Sequence, residues 1–309
     1  MLFSGIICSF RAKAGIADEA IYVKADGSIV PTGSPISTTD NITYVLTENI
    51  SVPRDGIVVQ RNNTILDANG HTLLCTGNSI GFFGISVTNL SNVTIRNFQI
   101  LNFTRSIDVC CSSNTTVSGN NMNDTRTGVD FYFSFDCRVT GNNFTCTSYG
   151  LALDASSGNI LSNNNMTACQ YGLDLRFSSN NTIVQNNFFY NDCNIAFWYS
   201  SENRFFQNNF SSKECVGCQE PISNHGSSVN IWDNGLEGNY WSRYNGTDSN
   251  QDDIGDESYI ISENNTDHYP LMAQYVIPEF PSLHVLAFFI IATLLVMIVC
   301  KRKHLTRAP

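Results

Sequence analysis

The sequence predicts an all-β chain wound as a parallel β-helix of about 22 residues per turn, with one C-terminal transmembrane helix. Three observations lead there. An apolar pattern recurs every 22 residues, asparagine is in large excess, and one long apolar run sits directly ahead of a basic tail. Asparagine supplies 37 of 309 residues. It is poor in helix interiors and good in turns, left-handed backbone positions and side-chain ladders, so its excess argues against helices. With 27 acidic against 17 basic residues and a net charge of −10, the chain lacks a basic face for phosphates. A nucleic-acid partner is thereby excluded.

From the N-terminus, residues 1–14 carry a short apolar run ending in Ala12-Lys13-Ala14, the small-x-small pattern that a signal peptidase cuts. The usual basic start is missing, so the expectation is a truncated signal peptide. Residues 15–42 are expected to cap the coil, which then occupies 43–236 and repeats most clearly from Val93 to Phe210. One apolar column reads Ile95, Val117, Val139, Leu161, Ile183, Phe205, and a second reads Met122, Phe144, Met166, Phe188, Phe210. Between them runs Asn121, Asn143, Asn165, Asn187, Asn209. A third column is Ile107, Val129, Leu151, Leu173, Ile195, and a fourth, two residues on, is Val109, Phe131, Leu153, Leu175, Phe197. Serine fills Ser112, Ser134, Ser156, Ser178, Ser200.

A step of two between the third and fourth columns is strand periodicity. About 22 residues cannot close a core alone, so each turn must stack on the next and share one. Leucine-rich repeats need a dense Leu pattern, and calcium-binding nonapeptide rolls need Gly-Gly-x-Gly-x-Asp. Neither is present. A parallel β-helix remains, with like residues stacked roughly 4.8 Å apart.

Residues 237–275 are expected to cap the far end, with an acidic loop, and 276–309 to hold a membrane anchor. Val285 to Cys300 is apolar except for Thr293, and Leu283 and His284 extend it towards the roughly 20 residues that span a bilayer. Lys301, Arg302, Lys303 and Arg307 follow, which places the tail in the cytoplasm and the large domain at the cell surface.

The coil, together with Asn239-Tyr240-Trp241-Ser242, Asp252-Asp253-Ile254-Gly255-Asp256 and Tyr269-Pro270-Leu271-Met272, resembles the NosD-like, carbohydrate-binding-and-sugar-hydrolase type of right-handed β-helix. The resemblance covers about residues 20–272. It implies a right-handed coil, and a family whose members include copper-delivery proteins, sugar-active enzymes and surface proteins of no assigned activity. Pro278-Glu279-Phe280-Pro281, with the apolar run and basic tail, resembles the PEF-type sorting signals of archaeal surface proteins. That resemblance implies a helix that is either kept or replaced by another anchor.

If Val129 and Phe131 point inward, the 22-residue step generates an outer face with columns Asp108, Asp130, Ala152, Asp174, Ala196 and Cys110, Tyr132, Asp154, Arg176, Trp198. Aromatic rings such as Tyr132 and Trp198 stack on pyranose rings, and carboxylates move protons. Asp154 lies one rung and two residues from Asp130 and from Asp174, a diagonal of about 8 Å. That falls in the roughly 6.5–9.5 Å range of inverting glycosidases. The bland reading is an exposed sheet carrying ordinary polar residues. Asn224-His225-Gly226 resembles the Gly-His-Gly of pectin hydrolases except at its first residue.

Asp248, Asn250, Asp252, Ile254 and Asp256 place oxygen ligands at alternate positions, as a Ca2+ loop does, against the alternative of a solvated acidic turn. Copper needs soft or imidazole ligands brought together. Upstream of the membrane segment only His71, His225 and His268 offer imidazole, and Met122 and Met166 occupy core columns, so copper is not expected. Eleven cysteines suit an extracellular protein. Cys193 and Cys215, one period apart, are a candidate disulfide, and Cys215 with Cys218 is its competitor. Fourteen Asn-x-Ser/Thr sequons occur, among them Asn41, Asn92, Asn102, Asn114, Asn245 and Asn264 as glycan acceptors. Those at Asn143, Asn165 and Asn209 are expected to be held in turns and inaccessible.

These readings favour a non-enzymatic, membrane-anchored cell-surface β-helix serving as an envelope, adhesion or carbohydrate-binding module. The rival is a polysaccharide hydrolase or lyase using Asp130, Asp154 and Asp174 with Arg176. A copper carrier comes third.

Overall fold

The computed structural model describes residues 15–16, 19–77, 80–145, 147–212 and 222–276. The expected leader at 1–14 and the PEF motif, membrane helix and basic tail within 277–309 lie outside the described residues, as do Cys215 and Cys218. Among the described residues no helix is long and apolar enough to cross a membrane.

The 22-residue spacing becomes a right-handed parallel β-solenoid because each turn is three short strands joined by bends. In one turn the chain runs Thr127–Tyr132, then Arg138–Thr140, then Asn143–Thr145, and returns at Tyr149–Asp154 beside its starting strand. Among the described residues like strands stack into sheets of 10, 10 and 9 strands, parallel except at two N-terminal edge strands. The sheet containing Thr127–Tyr132 has six-residue strands over most of its length and is called the wide sheet below. Pairing steps by 22 residues, as in Val129 with Leu151 and Leu151 with Leu173.

All four apolar columns point inward, and every member is at most 1% exposed. One continuous core results. Both its ends would be raw, and each is covered differently. At the start, Ile21–Val23 is already a parallel strand of the wide sheet, inside the segment expected to be a cap, and the closure comes from antiparallel Ile29–Val30 and Ile36–Thr38. At the far end Trp232 stacks on Phe205 and Trp241 on Phe210, with ring centroids 4.6 and 4.5 Å apart. The hairpin Tyr259–Ser262 and Asn265–Asp267 follows, and Tyr259 stacks on Trp241.

The asparagine excess has two physical destinations. Many bends need a left-handed residue, and Asn fills Asn41, Asn69, Asn92, Asn102, Asn114, Asn163 and Asn180, all at positive φ. The other destination is the set of buried ladders that satisfy backbone N–H groups at bends. Asn120, Asn142, Asn164, Asn186, Asn208 and Asn239 form one, each Nδ2 donating to the next Oδ1 at 2.9–3.0 Å. Asn159, Asn181, Asn203 and Asn230 form another, and the serine column a third. The column Asn121, Asn143, Asn165, Asn187, Asn209 lies in strands rather than turns. Its side chains bond to one another mostly on the outer surface, as from Asn165 to Asn143.

The first ladder ends on a carboxylate. Each Asn passes its donor onward, so the last needs a pure acceptor, and Asp267 Oδ2 takes bonds from Asn239 Nδ2, the Asn239 N–H and Trp241 Nε1.

Close stacking also demands small residues at Gly84, Gly128, Gly150 and Gly172, just ahead of the third apolar column. A Cβ on Gly128 would meet the Phe144 ring and the Gly150 carbonyl oxygen. Gly128→Ala is therefore expected to lower stability by about 1–3 kcal/mol. A urea midpoint unchanged from wild type would contradict that packing.

Candidate functional site

Alternation along the six-residue strands turns one set of side chains into the core and leaves the other on the outer face of the wide sheet. Strand register then builds two outer columns. One runs Ser86, Asp108, Asp130, Ala152, Asp174, Ala196, Ser223. The other runs Thr88, Cys110, Tyr132, Asp154, Arg176, Trp198, His225. Both expected columns are present in the expected register. Asp154 lies on the strand between those of Asp130 and Asp174, with Tyr132 and Arg176 as its neighbours in register.

These residues line an open cleft of about 510 Å³, which includes Arg105, Asp108, Asp130, Tyr149, Asp154 and Arg176. Its charges are arranged as pairs. Arg105 Nε lies 2.6 Å from Asp130 Oδ2 and 3.8 Å from Asp108 Oδ1. Arg176 places Nε and Nη2 each 2.8 Å from Asp174 Oδ2. The other oxygen, Asp174 Oδ1, is buried with no hydrogen-bond partner. Tyr149 and Tyr171 stack at 5.2 Å along one side.

Burial pushes the Asp108 carboxyl up to about 6, and the neighbouring Asp130 charge adds to that while Arg105 opposes it. Burial also raises Asp130 and Asp174 against the pull of Arg105 and Arg176. At the far end of the molecule, burial raises Asp267 to about 6 in spite of its donors. An acid whose folded pKa exceeds its unfolded value of 3.8 keeps a proton that the unfolded chain has lost between those two values. Stability from these groups is therefore present at low pH and lost as pH rises through 6. Asp40, held below the usual range by the Thr43 N–H, acts oppositely and only as pH falls below its unfolded value of 3.8. The unfolding free energy is expected to drop by roughly 1–3 kcal/mol from pH 5 to pH 7. Urea titrations at the two pH values test this, and a rise would contradict it.

The aromatic candidates differ in access. Tyr132 is 46% exposed and meets Phe133 edge-on at 4.6 Å. Trp198 is 38% exposed, stacked on His225 at 3.9 Å and with the Arg176 guanidinium 5.9 Å from its ring centre. Arg105 and Tyr149 were not singled out from sequence, and Asp108 was seen only as a column member. Stepping by 22 three positions ahead of the Asp column would have shown Arg105, Thr127, Tyr149, Tyr171 and Cys193 as a third outer column.

The acidic loop does not gather its carboxylates around one point. Asp248 accepts the N–H groups of Gln251, Asp252 and Asp253, Asp252 accepts that of Ile254, and Asp256 accepts Ser249. Asn250 donates to Asp252. Among the described residues no group of three or more His, Cys, Asp or Glu could hold a metal ion. Cys193 lies on the wide sheet beside Tyr171. Asn41, Asn92, Asn102, Asn114, Asn245 and Asn264 are all exposed.

A right-handed parallel β-solenoid with a polar, tyrosine-lined cleft on its widest sheet is the class of protein these features define. The chain belongs to the NosD family, described as periplasmic copper-binding protein, whose profile matches residues 27–246. No curated protein matches the chain. Among solved structures, it is similar to an alginate lyase from Paenibacillus sp. str. FPU-7, at 11% identity and TM-score 0.41 over 60% of this chain and 87% of the lyase. It is also similar to the periplasmic alginate epimerase AlgG, at 14% identity and TM-score 0.39 over 71% of this chain and 83% of the epimerase. A third is the enzymatically active domain of bacteriophage CBA120 tailspike protein 2, at 12% identity and TM-score 0.45, where 64% of this chain spans 46% of the other.

The family description raises copper, and among the described residues the histidines and methionines do not come together to hold it. His71 bonds to Asn49, His225 packs on Trp198 and His268 pairs with Asp233, on separate parts of the coil. Met122 and Met166 are fully buried.

Proposed function

We propose that this protein is a cell-surface carbohydrate-binding β-solenoid whose wide-sheet cleft receives a stretch of polysaccharide. The observation that carries this reading is the cleft itself, in which carboxylates, guanidinium groups and tyrosines line one open surface. Sugar hydroxyls donate and accept at once, so they suit neighbouring acids and bases. An open cleft on the face of a sheet can receive an internal segment of a long chain. Surface display rests on the apolar run Val285 to Cys300 and the basic residues after it.

A second reading, cleavage of the bound chain, is favoured by one observation. Asp108, raised to about 6, stands beside Asp130 across one strand pairing, and burial raises Asp130 as well, so both carboxyls hold a proton more readily than free ones. A carboxyl that keeps its proton towards neutral pH can serve as a general acid.

A polysaccharide panel incubated with the purified full chain separates the readings. Retention without new chain ends supports binding alone, and new chain ends promote the second reading. Neither retention nor products, with neutral and with acidic polysaccharides, overturns both.

A further inference from the structure

At the N-terminal side of the cleft, Cys110 ends the strand Arg105–Cys110 and Cys111 makes the bend that follows. Their Sγ atoms lie 3.3 Å apart. Cys110 lines the cleft and pairs in register with Tyr132, while Cys111 is exposed. The bend is fixed by the fold. Cys111 occupies a left-handed position, with φ of 52°, in a column continued by Phe133, Ala155, Phe177 and Tyr199. Its N–H donates to the Tyr132 carbonyl at 2.8 Å, as the Phe133 N–H does to Asp154 at 3.0 Å. In this column only the Cys110–Cys111 turn carries a thiol at both the strand end and the bend.

We propose that Cys110 and Cys111 are a redox-active pair that closes reversibly into a vicinal disulfide by exchange with a small-molecule disulfide. The exposed Cys111 thiolate attacks the external disulfide, forming a mixed disulfide and expelling one thiolate. Cys110 then loses its proton and attacks the Cys111 sulfur, expelling the second. The protein gives up two electrons, and the oxidant is reduced to two thiols. The order follows from exposure, and burial together with the neighbouring Cys111 pushes the Cys110 thiol up to about 11, which makes it the slower nucleophile. Adjacent Cα atoms are about 3.8 Å apart, below the usual disulfide span of roughly 4.4–6.8 Å, so the ring is strained. Strained disulfides are the readily reduced ones, which makes this pair a switch in the cleft wall rather than a structural staple. The inference holds whatever the cleft binds.

The test is to expose the full chain to oxidised glutathione, alkylate the remaining thiols and map peptides by mass. The wild-type peptide holding both residues should be two hydrogens lighter, with neither alkyl nor glutathionyl groups, and dithiothreitol should restore two alkylated thiols. Cys110→Ser should trap one glutathionyl group on Cys111. Wild-type protein that stays doubly alkylated, keeps glutathione on Cys111, or links either residue to a different cysteine overturns the proposal.

Discussion

Asn164→Ala is expected to lower the unfolding free energy by about 3–6 kcal/mol, whereas Asn165→Ala lowers it by about 1 kcal/mol or less. The two residues are chain neighbours and identical in chemistry, so position alone separates them. Asn164 is fully buried, and its Oδ1 accepts both the Asn142 N–H and Asn142 Nδ2 at 3.0 Å. Its own Nδ2 donates to the Val139 carbonyl and to Asn186. Alanine would leave the Asn142 N–H and the Val139 carbonyl short of a partner in a dry interior, and would open a small cavity. Asn165 is half-buried on the outside, and its bonds to Asn143 and Thr167 can be replaced by water. Urea denaturation of the two variants reads the difference directly. Equal, small effects would mean that the ladder contributes little to holding successive turns together.

Asp174→Ala is expected to weaken polysaccharide binding by about 10–100-fold, on the scale of about 1.4 kcal/mol per tenfold change. It releases Arg176, two of whose three guanidinium nitrogens are tied to Asp174. Asp154→Asn separates binding from chemistry. Its side chain stands between Tyr132 and Arg176 with its shape preserved in the variant. If the cleft only binds, affinity for the retained polysaccharide should change by a factor of about three or less. If the cleft cleaves, product formation should fall by on the order of 100-fold or more while the polysaccharide is still retained. Calorimetric titration and chain-end assays on both variants, with a urea curve to show that each folds, distinguish these outcomes. Full binding by Asp174→Ala would remove the cleft from the function.

Most of the coil was legible because a repeat states the same sentence several times. Four apolar columns, read at a step of 22, all became core, and both outer columns fell in the expected register. The errors came where neighbours on the chain compete for one role. Asn120 and Asn121 look alike in sequence, but only the former sits at the bend, where a buried N–H of the adjacent turn needs an acceptor. The wide-sheet cleft was half legible for a similar reason. Asp130, Asp154, Asp174 and Arg176 were found by periodicity, while Arg105 was missed because its partner Asp130 lies across a strand and 25 residues away in the chain. Ion pairing across turns follows no local pattern.

What the sequence determined by itself is the architecture: a period of 22 residues, small and apolar residues at fixed phases, and bend residues that tolerate positive φ, all of which act locally and repeat. What the tertiary structure alone decided is which polar groups meet. It set the acceptor that ends the asparagine ladder, the carboxylates that share Arg105 and the two sulfurs that touch at one bend. Those outcomes depend on distances of a few ångströms between groups a full turn apart, or on the exact bend between two neighbours. Side-chain direction and burial set them, and one-dimensional spacing does not.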